Sequence, residues 1–332
     1  MATIHDVAAR AGVSAATVSR VLNGTGTVRA DLAERVQAAV DELDYRPNGI
    51  ARSLRRRASS VWGLIISDVG NPFFTALIRG VEDVAHEAGY SLVLCNSDDE
   101  PAKEQRYVQV ALAEQMAGVI ITPSSEADTD LTPLLQRAVP VVAVDRRLHR
   151  HDVDTVTVDN IRGARLATEH LLASGCRRIA CITGPVQTTT AQERLEGYRQ
   201  ALAAAALEVD DTLVQIENFR EDGGYDGAQR LLRLPEPPDG LFVANNLMTV
   251  GALEAVVEAG VVVPDDLLMV GFDDIPWAKL TRPRLTTVAQ PTYEMGQYAG
   301  RMLAARLAGD EGHVRTVMLS PTLEIRESSV HG

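Results

Sequence analysis

Cysteine, lysine and aromatic side chains are scarce in this chain of 332 residues, and each scarcity narrows what it can be. The three cysteines, Cys95, Cys176 and Cys181, lack metal-site or redox spacing and leave one odd thiol, so no disulfide framework is expected. They read as reduced, buried thiols of a cytoplasmic protein. Lysine occurs only at Lys103 and Lys279, so the basic groups are nearly all arginine. Aromatics make up 4% of the chain, with five phenylalanines, so any gathering of phenylalanine carries weight. No run of about 18 apolar residues is available to span a bilayer, and no membrane partner is expected. The start, Met1-Ala2-Thr3-Ile4-His5-Asp6, has no apolar core of a secretory signal. Absent too are the phosphate cradles Gly-x-x-x-x-Gly-Lys and Gly-x-Gly-x-x-Gly, together with Gly-x-Ser-x-Gly and His-Glu-x-x-His. No catalytic constellation, metal site or cofactor is therefore expected, and the chain reads as something other than an enzyme.

What is present is an ordinary globular composition, 45% hydrophobic and 23% charged, in a chain long enough for two or three domains. The net charge of −13 argues against a protein coated in nucleic acid. Its distribution says more. Residues 1–58 carry nine arginines against six acids, net +3, which leaves −16 for the rest. A basic module on an acidic body is the asymmetry of a local nucleic-acid footprint.

Residues 1–46 read as three short helices. Thr3 with Asp6 forms a capping-box variant that opens a helix with Ile4, Val7, Ala8 and Ala11 on one face. Gly12 is placed to end it in left-handed geometry, and Ser14 to cap a second helix, Ala15–Leu22. Leu32, Val36, Ala39, Val40 and Leu43 mark a third. The first pair is a helix-turn-helix, an all-α DNA-binding unit whose second helix enters the major groove. That puts Ala15, Ala16, Thr17 and Arg20 near base edges, with Arg20 suited to a bidentate contact with guanine. Ser14, Ser19, Asn23 and Tyr45 suit phosphates. The plain alternative is an unrelated three-helix cap.

Residues 47–58 read as a hinge. Pro47 stops the preceding helix, Asn48 can cap a new one, and the arginines at 52, 55, 56 and 57 surround a single Leu54. An isolated helix shorter than about 12 residues is marginal in water, and clustered like charges weaken it further. Such a segment makes sense against a polyanion with a slot for a wedge, as in a DNA minor groove. The plain alternative is a solvated basic linker.

Ile4-His5-Asp6-Val7-Ala8, Gly12-Val13-Ser14, Thr17-Val18-Ser19-Arg20-Val21-Leu22-Asn23, Tyr45-Arg46-Pro47-Asn48 and Ala51-Arg52-Ser53-Leu54 together resemble the lactose/galactose repressor (LacI/GalR) family of bacterial transcription factors. The resemblance covers the whole chain. It implies a repressor that binds a palindromic double-stranded operator as a homodimer, with Thr3 and Asn48 added to the DNA-contacting set. It also implies that Leu54 wedges the central base step while Ala51 and Arg55 flank it in the groove.

From Val61 onward, Val/Ile/Leu-rich strands alternate with amphipathic helices, the pattern of parallel sheets covered on both faces. The strand candidates are 61–67, 91–96, 118–122, 140–145, 155–158, 179–183, 212–217, 240–244, 268–272, 286–289 and 314–319. They suit two doubly wound α/β sheets better than one. Ligands of such sheets sit beyond the carboxyl ends of the strands. The residues there are Asn71, Phe73 and Phe74; Asp145 and Arg146; Arg194; Phe219; Asn245; Asp273; and Gln290. Singly, each has a duller role as a helix cap or core residue. Together, carboxylates and guanidiniums offer charge-assisted partners for hydroxyl groups, and phenylalanine faces pack on the C–H faces of a sugar ring. A small polyhydroxylated ligand fits this inventory.

The same set is similar to the periplasmic ribose-binding proteins, fold relatives of these repressor cores. The resemblance carries the ten residues just named to a sugar site and implies D-ribose, with an epimer, a nucleoside or a phosphorylated pentose still open. Local departures at Thr188–Thr190 and Arg147 keep them so. The implied core subdomains are 59–158 with 290–319 and 159–289 with 320–332, closing on the effector as hinged halves. A sugar receptor feeding a transporter would share residues 61–332 but would need export.

Overall fold

The computed structural model describes residues 2–23, 28–45 and 59–330, divided between two units, Met1–Ser59 and Ser60–Gly332. In the first unit, helix α1 (Ile4–Ala11) is opened by Thr3, whose Oγ1 accepts from the Asp6 N–H at 3.3 Å while the Asp6 carboxylate accepts from the Thr3 N–H at 2.8 Å. Gly12, at φ 64°, lets the Val13 N–H turn back to the Ala8 carbonyl at 3.0 Å. Helix α2 (Ala15–Asn23) follows, with Ser14 Oγ accepting from the Thr17 N–H at 3.1 Å, and then α3 (Ala30–Glu42). Val7, Ala8, Ala11, Val18, Val36 and Ala39 close a small core between the three.

The second unit is built on strands β1 (Val61–Ile66), β2 (Ser91–Asn96), β3 (Gly118–Ile121), β4 (Val141–Val144), β5 (Asp154–Val158), β6 (Ile179–Thr183), β7 (Val214–Ile216), β8 (Gly240–Val243), β9 (Leu268–Phe272), β10 (Thr286–Ala289), β11 (Thr316–Leu319) and β12 (Thr322–Glu324). Between them lie α4 (Pro72–Glu87), α5 (Pro101–Ala113), α6 (Thr132–Leu135), α7 (Asn160–Ala173), α8 (Thr189–Ala204), α9 (Glu221–Leu232), α10 (Asn246–Glu258) and α11 (Thr292–Leu307).

Two sheets share one winding. The first runs β11-β5-β4-β3-β1-β2, the second β12-β10-β9-β8-β6-β7. Central strands such as Leu268–Phe272 are buried along their length, as parallel strands covered on both faces must be. Each sheet with its helices is a lobe. The chain passes between lobes three times: from Val158 to Asn160, from Ala289 to Thr292, and from Leu319 to Thr322. The first and third passages are tied together, since the Asp159 N–H donates to the Leu319 carbonyl at 2.9 Å.

Three details depart from the sequence expectation. Strand β12 is additional and pairs antiparallel with β10. Its three residues, Thr-Leu-Glu, carry no apolar run, and Pro321 just before them cannot continue a ladder because it has no N–H. The strand expected over 140–145 stops at Val144, because Asp145 turns into left-handed backbone at φ 71°. The one-turn helix α6 is also new. Among the described residues, no helix is long and apolar enough to cross a membrane, and no group of His, Cys, Asp and Glu is arranged to hold a metal.

Candidate functional site

The loops beyond the carboxyl ends of both sheets meet at one cavity of about 540 Å³, its open mouth included. Asn71, Phe73, Phe74, Asp145, Arg146, Arg194, Phe219, Asn245, Asp273 and Gln290 all line it. Winding order explains why they meet: β4 and β9 hold the same place in their sheets, and Asp145 and Asp273 are the residues that follow them. Both have left-handed backbone, φ 71° and 77°. Their N–H groups donate to equivalent carbonyls on the neighbouring strand, Val156 at 2.9 Å and Val288 at 2.8 Å. Non-glycine residues at positive φ are strained, and such strain gathers at binding sites.

Charge in the cavity is largely balanced. Arg146 donates to Asp99 at 2.6 and 3.4 Å and to the Pro123 carbonyl at 3.0 Å, and its Nε lies 3.9 Å from the Asp145 carboxylate. Arg194, from α8, donates to Asn160 Oδ1 at 2.9 Å and to the Ala244 carbonyl at 2.6 Å, with its guanidinium 3.9 Å from the centre of the Phe272 ring. Burial pushes the Asp145 carboxyl up to about 6, against the pull of Arg146 and Arg194. Asp273 moves the same way for the same reason, opposed by Arg194 and by Gln290, whose amide donates to it at 2.6 Å. Arg146 Nε and Gln290 Oε1 are buried without a hydrogen-bond partner among the described residues, so both can still serve a polar ligand.

Several of these side chains also have a framework task. Asn71 Oδ1 accepts from the Phe73 N–H at 2.9 Å at the start of α4 and from Asn246 of the other lobe at 2.8 Å. Asn245 Oδ1 accepts from the Met248 N–H at 2.9 Å to cap α10, and its amide donates to the Phe219 carbonyl at 2.8 Å. That bond helps hold Phe219, another left-handed residue at φ 61°. Phe73 and Phe74 meet edge to face, 5.0 Å apart at 87°. Each asparagine is thus cap and wall at once.

The cavity has walls that the sequence reading left out: Ser67, Asp68, Asp99, Thr190, Asn218, Arg220 and Leu247. Asp99 was within reach, because it follows β2 just as the chosen residues follow their strands. Arg147, in contrast, is not among the lining residues and pairs with Glu193 at 3.3 Å.

In the first unit, Ala16 and Arg20 are exposed four positions apart on α2, hence on one face. Ala15, Thr17 and Ser19 are partly covered. Thr3 Oγ1 donates to Asp6 at 2.8 Å, and Ser14 Oγ lies 2.9 Å from Thr17 Oγ1, so these hydroxyls first serve the helix starts. Tyr45 packs against the core. Asn23 ends α2. Asn48, Ala51, Leu54 and Arg55 lie outside the described residues.

Comparison with known proteins bears on both units. Residues 3–48 match the family described as bacterial regulatory proteins, lacI family, and residues 168–329 match a periplasmic binding protein-like domain. The ribose operon repressor of Halalkalibacterium halodurans is 40% identical over 332 residues, covering 100% of this chain and 98% of the relative. A solved lac repressor dimer bound to operator and the anti-inducer ONPF has a TM-score of 0.88 at 27% identity, covering 99% of both chains. A LacI family transcriptional regulator from Enterococcus faecium with bound ribose has a TM-score of 0.73 at 29% identity, covering 81% of this chain and 98% of that one. All three are repressors or transcriptional regulators.

Proposed function

This chain belongs to the LacI family of bacterial regulatory proteins and is a DNA-binding transcriptional repressor, and we propose that its effector is D-ribose, bound in the cavity between the two lobes. The observation that carries the reading is the gathering of Asp145, Arg146, Asp273 and Arg194 around one cavity walled by Phe73, Phe74 and Phe219. Carboxylates accept from sugar hydroxyls, guanidiniums and amides donate to them, and the rings cover the C–H faces. Arg146 and Arg147 already answer to Asp99 and Glu193, which favours an uncharged sugar over its phosphate. The ribose bound to the regulator from Enterococcus faecium and the ribose operon repressor at 40% identity point the same way.

On the DNA side, Ala15, Ala16, Thr17 and Arg20 read bases in the major groove of a palindromic operator. Ser14, Ser19, Asn23 and Tyr45 hold its phosphates, and Thr3 and Asn48 also contact the DNA. Residues 47–58 lie in the minor groove, with Leu54 as the wedge between Ala51 and Arg55. A palindrome is matched by a twofold homodimer acting in the cytoplasm. Within each copy, 1–46 is the DNA-binding unit, and 59–158 with 290–319 and 159–289 with 320–332 are the lobes. Lobe closure on the sugar changes the hinge segments and with them operator affinity.

A gel-shift titration with D-ribose tests this. Operator affinity should change by roughly 5–150-fold at saturating sugar, the usual size of such coupling. A protein that neither binds D-ribose in a calorimeter nor changes its operator affinity would overturn the assignment.

A further inference from the structure

Beyond the cavity, one buried carboxylate joins the lobes. Glu126, only 2% exposed, stands in the loop after β3. That loop is held from behind by the buried Glu104 of α5, which accepts from the Ser124 N–H at 2.7 Å and from Thr129 Oγ1 at 2.7 Å. The His149 N–H, donating to the Glu126 carbonyl at 2.9 Å, adds a second support. From this frame Glu126 Oε1 crosses to the other lobe and accepts from both the N–H and the Oγ1 of Thr189, each at 2.6 Å. Its other oxygen has no hydrogen-bond partner among the described residues and faces His149 Nε2 at 3.6 Å.

Thr189 is the first residue of α8, where unpaired N–H groups carry partial positive charge and a carboxylate is favoured. The same helix carries Thr190 and Arg194 to the cavity wall, and its Glu193 reaches back to Arg147 of the first lobe. A carboxylate costs several kcal/mol to bury unless its partners repay it, so this position is costly as mere packing. We propose that Glu126 is a positioning residue for effector binding, clamping the N-terminus of α8 to the first lobe so that Arg194 shares a closed cavity with Asp145 and Arg146. The proposal rests on the reading of that cavity as the effector site.

The test uses the full-length protein and two readouts. Amide hydrogen exchange of residues 186–193, measured without sugar, reports the clamp directly. Glu126→Ala and Thr189→Val should each raise it, with about a tenfold rise for Glu126→Ala, a loss typical of a charge-assisted bond. Glu126→Gln keeps an acceptor oxygen and should recover most of the protection. Calorimetry with D-ribose should then show Glu126→Ala binding about tenfold more weakly. Unchanged exchange in both variants would overturn the clamp. Raised exchange with parental D-ribose affinity would overturn its positioning role. If D-ribose binds neither parent nor variant, the ribose reading fails, and the exchange result still decides the clamp.

Discussion

The Phe219 ring lies across Gly184 so closely that a β-carbon on the glycine would stand 2.2–2.4 Å from three of its ring atoms. Only a residue without a side chain leaves room for this wall of the cavity. Gly184→Ala should therefore push the ring out of place and weaken D-ribose binding by about tenfold or more, in line with the cost of overpacking. Operator binding without sugar should be unchanged. Calorimetry and a gel shift on the same preparation check both halves.

Acidity should control sugar affinity. The Asp145 carboxyl is raised to about 6 in the folded protein from an ordinary 3.8. A raised carboxyl disfavours folding while ionised. That cost is fully present above pH 6, shrinks as pH falls through 6, and is gone below 3.8. The ionised form is the one that accepts from hydroxyls, so D-ribose affinity should hold above pH 6 and fall roughly tenfold from pH 7 to pH 5. Asp273, raised in the same direction, adds to the fall. Calorimetry across that range, in buffers of different ionisation enthalpy, should also detect proton release on binding near pH 6.

Arg194 holds the cavity wall, and in the proposed reading it holds the sugar too. Arg194→Ala removes its bonds to Asn160 and the Ala244 carbonyl and leaves Asp273 without the cation that opposes the effect of its burial. The sugar response should vanish, and stability should drop by about 3 kcal/mol, as when one partner of a buried charge set is lost. Asn245→Ala should show a milder version, losing the cap on α10 for about 1 kcal/mol and freeing Phe219. Chemical denaturation with and without D-ribose separates the two contributions.

Arg20→Ala should cost about 1–3 kcal/mol of discrimination between operator variants while leaving sugar binding intact. Leu54→Ala should weaken the operator complex without relaxing its sequence preference outside the centre. Competition binding across a set of single-base operator variants tells one outcome from the other.

Much of this architecture could be read from the chain because parallel strands are written as uninterrupted Val, Ile and Leu. The residue that ends such a run sits at the sheet's carboxyl edge, which is how Asp145, Asn245 and Asp273 could be picked out before any fold was known. Asp99 escaped notice because Ser97-Asp98-Asp99-Glu100 has the look of a solvated loop, whereas Asp98 and Asp99 both take left-handed backbone and Asp99 meets Arg146. Glu126 was unreadable for a different reason. Its partner is 63 residues away, and nothing local marks an exposed-looking loop acid as buried. The second tasks of Asn71 and Asn245 were also hidden, since a cap and a ligand contact ask for the same amide.

The three passages between lobes have a mechanical meaning. Parallel cords joining two bodies resist sliding and twisting far more than folding about the line they share, and the bond from Asp159 to Leu319 lashes two of them together. The pair of lobes is in effect a book with a stitched spine. In the proposed closure on D-ribose, such a spine leaves the lobes one path along which to open and shut.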